Sequence, residues 1–115
     1  IIGMFKHSHR LKLKKDIDFV FKNGKSAFTV NLGVRAVVNG LKRNRFAIII
    51  GKKTHKSAVK RNLLKRRARA VLKNLKLNPG FDIIVLFQKN IKQLNSDIIQ
   101  KELIKAFSRL KILDE

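Results

Sequence analysis

Three segments decide the fold: RFAIIIG at 45–51, SAVKRNLLKRRARAVLKNL at 57–75 and FDIIVLF at 81–87. The first and third are short and apolar on both faces, which is typical of buried strands. For 45–51 this pattern predicts a central strand of the kind found in parallel sheets. The second segment repeats apolar residues at helical spacing and can begin at Ser57, a good N-terminal cap. Together they predict a helix that connects two strands of one sheet.

The segments on the N-terminal side predict a helix followed by two strands. Residues 15–23 (KDIDFVFKN) place apolar side chains at helical spacing, and Gly24 follows as a C-terminal stop. Residues 25–39 change to a strand pattern that can break around Val30-Asn31. Asn39-Gly40 is a turn signal, so a basic hairpin loop joins this pattern to the strand at 45–51.

The C-terminal third predicts one more strand and one more helix. Asn78-Pro79-Gly80 is a strong breaker after the long helix, which runs to about Leu75, and Ser96 can cap a last amphipathic helix that runs to about Leu110. The element order is α-β-β-β-α-β-α, which predicts a single α+β domain with a four-stranded mixed sheet and a basic crossover helix. We place this domain at residues 15–115 and expect the basic residues 1–14 to form a flexible arm.

The charge of the chain points to a polyanionic partner. Its 115 residues include 28 Lys and Arg but only 7 Asp and Glu, for a formal net charge of +21. Between Asp18 and Asp82, 63 residues carry 17 of these cations and no carboxylate. A domain this basic repels itself unless a polyanion neutralises it. Nucleic acid is therefore the first candidate partner, and an anionic membrane surface is the second.

Several function classes lack the residues that they require. There is no Cys, and His7, His9 and His55 do not have the spacing of metal ligands, so no metal site is predicted. The few carboxylates do not suggest a general base, and Asp16 and Asp18 fit a role near a helix start better than a catalytic one. No apolar run approaches the ~20 residues of a membrane span, and no secretory signal is present. We therefore expect a cytoplasmic binding protein rather than a self-sufficient nuclease.

The helix at 57–75 separates apolar from basic residues. One stripe predicts the face that packs on the core; it consists of Leu64, Ala68, Val71, Leu72 and Leu75. The other side gathers Asn62, Lys65, Arg66, Arg69 and Lys73, with Lys60 and Arg61 beside the stripe. No Asp or Glu is interleaved, so phosphates would supply the missing negative charge. A membrane-surface role fits less well, because the apolar stripe is needed for the core and has no Trp or Phe anchor.

In this helix the chain resembles the bacterial ribonuclease P protein component. The pattern consists of Arg61-Asn62, Lys65-Arg66 and Arg69, preceded by Ala58-Val59 and by Lys52-Lys53 at a strand end. The resemblance covers nearly the whole chain and includes Arg10-Leu11-Lys12, Val20-Phe21-Lys22-Asn23-Gly24 and Asp82-Ile83-Ile84-Val85.

The resemblance implies a subunit that binds a large catalytic RNA and helps it remove the 5′ leader of precursor tRNA, while the RNA and its Mg²⁺ ions perform the hydrolysis. The protein alone is then expected to be monomeric and inactive, with no bound metal. The resemblance assigns catalytic-RNA binding to Lys52, Lys53, Lys60, Arg61, Asn62, Lys65, Arg66, Arg67, Arg69 and Lys73. It assigns leader binding, in a cleft between the first helix and the sheet, to Ile17, Phe21, Arg35 and Lys89.

The basic helix departs from the family pattern at two positions. The family usually has a third basic residue directly after Arg-Asn, where this chain has Leu63. Arg67, one turn later, stands where the family is commonly apolar. Our hypothesis is that the charge has moved one turn along the same helix face and keeps the electrostatic contact.

The cleft departs from the family pattern as well. Many members carry two aromatic residues four apart on the first helix, and the matching positions here are Ile17 and Phe21. At Arg35 a guanidinium can stack on a base and attract phosphate. Phe21 is expected to keep the cleft role that the resemblance implies. The competing interpretation, which stays open, is that at least one of Phe19 and Phe21 is a core residue. The other aromatics are predicted to be core or surface residues rather than RNA platforms: Phe5, Phe28, Phe46, Phe81, Phe87 and Phe107.

Two further interpretations use the same residues. A ribosomal or ribosome-assembly protein can have this size and charge, and the RNA that co-purifies with the chain would distinguish it. A DNA-binding helix-turn-helix regulator is disfavoured because the basic helix is followed by Asn78-Pro79-Gly80 and a buried strand, and no short helix precedes it at the proper turn.

Overall fold

The computed structural model describes residues 9–51, 56–88 and 95–114, which contain three helices and a four-stranded mixed sheet. In chain order the elements are α1 (Lys14–Asn23), β1 (Lys25–Phe28), β2 (Leu32–Val38), β3 (Arg45–Ile49), α2 (Ala58–Asn74), β4 (Phe81–Phe87) and α3 (Ser96–Arg109). This is the predicted α-β-β-β-α-β-α order, so the α+β prediction is confirmed.

The strands are ordered β1-β2-β4-β3, which makes β3 an edge strand of the described sheet. β3 runs parallel to β4, while β2 is antiparallel to both β1 and β4. The parallel orientation of residues 45–49 follows the prediction, but their predicted central position is wrong. The turn at Asn39-Gly40 is present, but the predicted hairpin is wrong, because β4 lies between β2 and β3 and the two strands do not pair. β3 is apolar on both faces because each face meets a core: Phe46 and Ile48 pack on one side, and Ala47 and Ile49 on the other.

The larger core lies between one face of the sheet and the helices α2 and α3. The sheet contributes Leu32, Val34, Ile83, Val85 and Phe87, and the helices contribute Leu64, Ala68, Leu72, Ile99, Leu103 and Phe107. Four of the five residues predicted for the apolar stripe of α2 are buried, namely Leu64, Ala68, Val71 and Leu72. The fifth, Leu75, is half-buried because it follows the helix as its C-cap.

Helix α1 lies on the opposite face of the sheet, over a much smaller core formed by the described residues Leu11, Val20 and Ile84. The flexible arm predicted for residues 1–14 is wrong at its C-terminal end. The Leu11 amide donates to the carbonyl of Phe46 at 2.8 Å, and Arg10 forms a parallel bridge with Phe46. Residues 10 and 11 are held against the sheet because the apolar side chain of Leu11 is buried between α1 and the sheet.

The helix ends lie close to their predicted positions. One N-cap differs by one residue, and the glycine that ends α1 is needed for a reason other than its backbone conformation. Ser57 caps α2 by accepting a hydrogen bond from the Lys60 amide, as predicted. Asn95 caps α3, one residue before the predicted Ser96. Gly24 ends α1 with a φ of −75°, so its backbone does not require glycine. A Cβ at Gly24 would lie 2.6 Å from the Val20 carbonyl oxygen, so glycine is needed here for close approach.

Candidate nucleic-acid interface

The basic face of α2 carries an uncompensated positive charge. None of the 17 residues of the helix is acidic, and seven are basic: Lys60, Arg61, Lys65, Arg66, Arg67, Arg69 and Lys73. Lys60, Asn62, Arg66 and Lys73 are exposed, and the other members of the predicted set in this helix are half-buried. Because the opposite side of the helix packs on the core, the fold presents these cations together on one outward surface.

Two arginines of this face have defined surroundings. Arg61 donates from Nη1 to the carbonyl of Lys56 at 2.9 Å, which ties the side chain to the segment before the helix. Arg69 lines a groove together with Arg10 and the edge of β3. Burial and the charge of Arg10 both lower the pKa of Arg69. An arginine stays charged nonetheless, so cations from α2 and from the N-terminal segment converge on this groove.

The two positions of the relocated-charge hypothesis lie on one side of α2. Leu63 and Arg67 are both half-buried and are separated by one helical turn. The structure therefore makes them neighbours. That Arg67 replaces a basic residue missing at position 63 stays a prediction.

We call the space beside α1 the α1 cleft. One wall is the flank of α1 that carries Ile17 and Phe21, and the other wall is the part of the sheet that α1 leaves uncovered. Val20 is fully buried and fixes the side of α1 that faces the sheet. Phe21 and Phe19 lie about 100° to either side of Val20 around the helix, on opposite flanks. Both rings are exposed, so the competing interpretation, in which at least one of them is a core residue, is wrong. Val20 fills that position instead.

Arg35 belongs to the wall of this cleft, but most of its donors are already used. Nη2 donates to the carbonyls of Phe21 at 2.6 Å and Gly24 at 3.1 Å, and Nη1 donates to Ser26 Oγ at 2.6 Å. Nε is buried and has no hydrogen-bond partner among the described residues. Arg35 thus fastens the C-terminal end of α1 to β1 and β2. Base stacking and phosphate attraction by the Arg35 guanidinium stay predictions.

Phe28, which the sequence predicts to be a core or surface residue rather than an RNA platform, is an exposed aromatic residue on the same side of the sheet as Arg35. Phe28 pairs with Gly33 in β2, two residues along β1 from the pair Ser26 and Arg35. Ala27 between them points into the larger core, so Phe28 points to the α1 side. Its side chain is 54% exposed. A glycine opposite an aromatic residue is a sequence signal for this arrangement, but it can be recognised only when the strand register is known.

The carboxylates near α1 hold the fold together rather than forming a catalytic pair. Arg45 donates from Nε and Nη2 to the buried Asp82 at 2.8 and 2.6 Å, and Asn39 donates to the same carboxylate at 2.9 Å. Asp16, in the first turn of α1, lies 3.7 Å from Arg45 Nη1. These contacts connect α1 to the starts of β3 and β4.

Glu102 of α3 likewise stabilises the β1–β2 turn through hydrogen bonds. Its carboxylate accepts hydrogen bonds from the Thr29 hydroxyl, the Asn31 amide at 2.8 Å and the Asn31 side chain at 2.6 Å. Burial alone would raise the pKa of Glu102, but these hydrogen bonds outweigh it and lower the pKa. Within the described ranges no three His, Cys, Asp or Glu side chains come together as metal ligands.

Three of the predicted contact residues, Lys52, Lys53 and Lys89, lie outside the described residues. The helices that the structure describes include none long and apolar enough to span a membrane.

Comparison with known proteins agrees with these features. The profile of the ribonuclease P family matches residues 5–111. The ribonuclease P protein component of Synechocystis sp. is 32% identical over 108 residues, which cover 91% of this chain and 87% of that protein. The corresponding protein of Synechococcus elongatus is 39% identical over 80 residues, 64% of this chain and 66% of its own length.

The solved structure of the Staphylococcus aureus RNase P protein superposes with a TM-score of 0.80 at 26% identity, covering 92% of this chain and 98% of that one. Fold and sequence together place the chain in a class of α+β proteins whose matched members are bacterial ribonuclease P protein components. The chain belongs to the ribonuclease P family. This decides against the ribosomal interpretation that its size and charge left open.

Proposed function

We propose that the chain acts as the protein subunit of a bacterial ribonuclease P, with the catalytic RNA on the basic face of α2 and the 5′ leader of precursor tRNA in the α1 cleft. The arrangement of two helices carries this proposal: α2 and α1 pack on opposite faces of one sheet, α2 is a cationic helix without a single acid, and a groove at the edge of β3 brings Arg69 of α2 together with Ile17 of α1. A small protein built in this way can hold two RNA molecules at once.

In this proposal the protein binds and the RNA catalyses. Asp16, Asp82 and Glu102 are engaged in contacts that hold the fold together. We therefore assign the Mg²⁺ ions and the hydrolysis of the phosphodiester to the RNA, and we expect the protein alone to be inactive. Its contribution is the affinity of the complex for a substrate that still carries a leader.

The test of the first surface is reconstitution with a bacterial ribonuclease P RNA and precursor tRNA at low Mg²⁺. Cleavage should require the RNA, and the protein should increase it. If about six phosphates are neutralised, the logarithm of the affinity for the RNA should fall with the logarithm of the salt concentration at a slope of roughly 4–5. A flat salt profile would remove the electrostatic basis of the proposal.

The test of the second surface compares two exposed phenylalanines of α1. Phe21→Ala should weaken the binding of precursor tRNA by tens of times at most, because one stacked base contributes ~1–3 kcal/mol. It should spare mature tRNA, which has no leader, and leave the single-turnover rate at saturating substrate within a few-fold. Phe19→Ala, on the other flank of the helix, is the control and should change neither affinity. Equal losses for both tRNAs in folded Phe21→Ala would contradict the leader assignment.

A further inference from the structure

Phe28 is an exposed ring on a firmly held backbone. Its carbonyl accepts a hydrogen bond from Arg109 Nη1 of α3 at 2.8 Å. The next residue, Thr29, donates its amide to the Leu32 carbonyl at 2.8 Å and accepts from the Gln88 side chain at 3.0 Å. These contacts fix the end of β1 on two sides. An aromatic side chain fixed in this way loses little freedom when a ligand packs against it.

The ring of Phe28 has one covered face and one free face. An ideal Cβ on Gly33 would lie 2.6 and 2.7 Å from the Cδ1 and Cε1 atoms of the ring, so the ring rests directly on the backbone of Gly33. Gly33 is buried beneath it, although the Phe28 side chain itself is 54% exposed. The ring therefore covers a glycine in the sheet and still presents a flat apolar surface to the solvent.

The surroundings of this surface suit single-stranded nucleic acid. Arg35 lies opposite Ser26, which makes Phe28 and Arg35 diagonal neighbours on the same face, about 7–8 Å apart. An aromatic face beside a guanidinium matches a strand of alternating bases and phosphates, and stacking tolerates any base.

We infer that Phe28 is a stacking platform for one unpaired base of the precursor-tRNA leader, facing α1 from the sheet. The inference deepens the proposed function and rests on it. Phe28 supplies from β1 an aromatic surface that α1 lacks at Ile17. The leader would then be held between Phe21 on one wall of the cleft and Phe28 on the other.

The experiment uses the holoenzyme reconstituted with the catalytic RNA and a set of precursor tRNAs in which single leader nucleotides are made abasic. With the unmodified protein, one abasic position should lower the affinity about tenfold. Phe28→Ala should lower the affinity for the intact precursor by a similar factor, and that same abasic position should then cost nothing more. Phe28→Tyr should restore both the affinity and the abasic effect, and mature tRNA should be unaffected throughout.

Two further variants separate stacking from a structural role. Gly33→Ala keeps the Phe28 ring, but the added Cβ displaces the ring from its position over residue 33. This variant should show the same loss of affinity for the precursor as Phe28→Ala. Phe19→Ala is a matched control because Phe19 is 53% exposed, as much as Phe28, but lies on the far flank of α1. It should leave every affinity unchanged.

Three results would overturn the inference: full precursor affinity in Phe28→Ala, an equal loss for mature tRNA, or no leader position at which the abasic cost disappears in Phe28→Ala. If Phe28→Ala retains full affinity but Phe21→Ala does not, the inference fails and the leader cleft stands. If both variants retain full affinity for the precursor, the proposed leader cleft fails with it.

Discussion

The two faces of the sheet are stabilised in different ways. One face carries α2 and α3 over a large apolar core, and the helices reach it through fully buried side chains such as Ala68, Leu103 and Phe107. Of the described residues, those of α1 and of the segment around Leu11 cover the other face, and Val20 is the only buried residue of α1. Polar contacts add to the attachment there: Arg45 pairs with Asp16 in the first turn of α1, and Arg35 donates to carbonyls at the end of the helix.

The difference in how the helices are attached explains why each surface is suited to its ligand. The basic face of α2 needs no shape of its own, since phosphates are attracted by charge, and a helix firmly packed on its core only has to present that charge. A cleft for a single strand needs a defined width and must stay partly empty. One helix held at its two ends by arginines leaves part of the sheet uncovered, which a fully packed helix pair would close.

The largest effect expected from this comparison is on stability. Leu72→Ala, on the α2 side, should lower the free energy of unfolding by ~2–5 kcal/mol, because it opens a cavity in a buried core. Val20→Ala removes less buried apolar volume on the α1 side and should cost only ~1–2 kcal/mol. Urea denaturation followed by circular dichroism measures both. A larger loss for Val20→Ala would show that the smaller core carries more of the stability than its size indicates.

The exposed Arg66 provides a control for the α2 side. Arg66→Ala should leave the urea midpoint nearly unchanged, since the side chain lies outside the core. It should still weaken binding to the catalytic RNA and reduce the magnitude of the salt slope by about 0.7–0.9, one phosphate contact. Early unfolding of this variant would mean that the apolar and basic faces of α2 have been assigned the wrong way round.

The next effect distinguishes two roles of Arg35. Arg35→Ala should destabilise the protein by ~1–3 kcal/mol, because the α1 carbonyls lose a charged donor. Arg35→Lys keeps the charge but cannot reach two carbonyls and Ser26 at once, since lysine lacks the planar fork of donors. If Arg35 acts by positioning α1, the lysine variant should lose affinity for precursor tRNA almost as much as the alanine variant does. Full affinity in Arg35→Lys would instead favour a simple attraction of phosphate.

Much of the fold follows from the sequence because its signals are local. The breaks at Gly24, Asn39-Gly40 and Asn78-Pro79-Gly80, and the cap at Ser57, depend on a few adjacent residues and are found where they were predicted. The edge position of β3 is not a local property. A strand with two covered faces has the same apolar pattern at an edge as at the centre, so the pattern alone could not place it.

The candidate site could be predicted in part for the same reason. The apolar and basic sides of α2 follow from helical periodicity. The contacts of Arg35 with Phe21 and Gly24 and the position of Phe28 depend on the register between β1 and β2, which no local pattern in the sequence specifies. The burial of Leu11 was not predicted, because one apolar residue in a basic segment gives no periodic signal.

A smaller effect is expected from the relocated charge on α2. Arg67→Leu should weaken binding to the catalytic RNA several-fold, more than removal of an average surface arginine. Leu63→Arg added to that variant should recover part of the loss, because position 63 lies one turn away on the same side of the helix. Filter-binding titrations at two salt concentrations measure both variants. A double variant that binds no better than Arg67→Leu would contradict the hypothesis.

The smallest expected effect tests how the two sides of the sheet are joined. Glu102 belongs to α3, on the side of the larger core, but its carboxylate holds the β1–β2 turn that follows Phe28. Because hydrogen bonding outweighs burial, its pKa in the folded protein lies below the ordinary value of 4.5. A carboxylate with a lowered pKa contributes stability that is fully present above its unfolded-state pKa and is lost as the pH falls through the folded-state value. The urea midpoint should therefore fall more steeply below about pH 4.5 in the unmodified protein than in Glu102→Gln. Asp18→Asn is the control, because it changes an exposed carboxylate of α1, and it should retain the steep fall. Parallel curves for the unmodified protein and Glu102→Gln would mean that this carboxylate does not tie α3 to the cleft side.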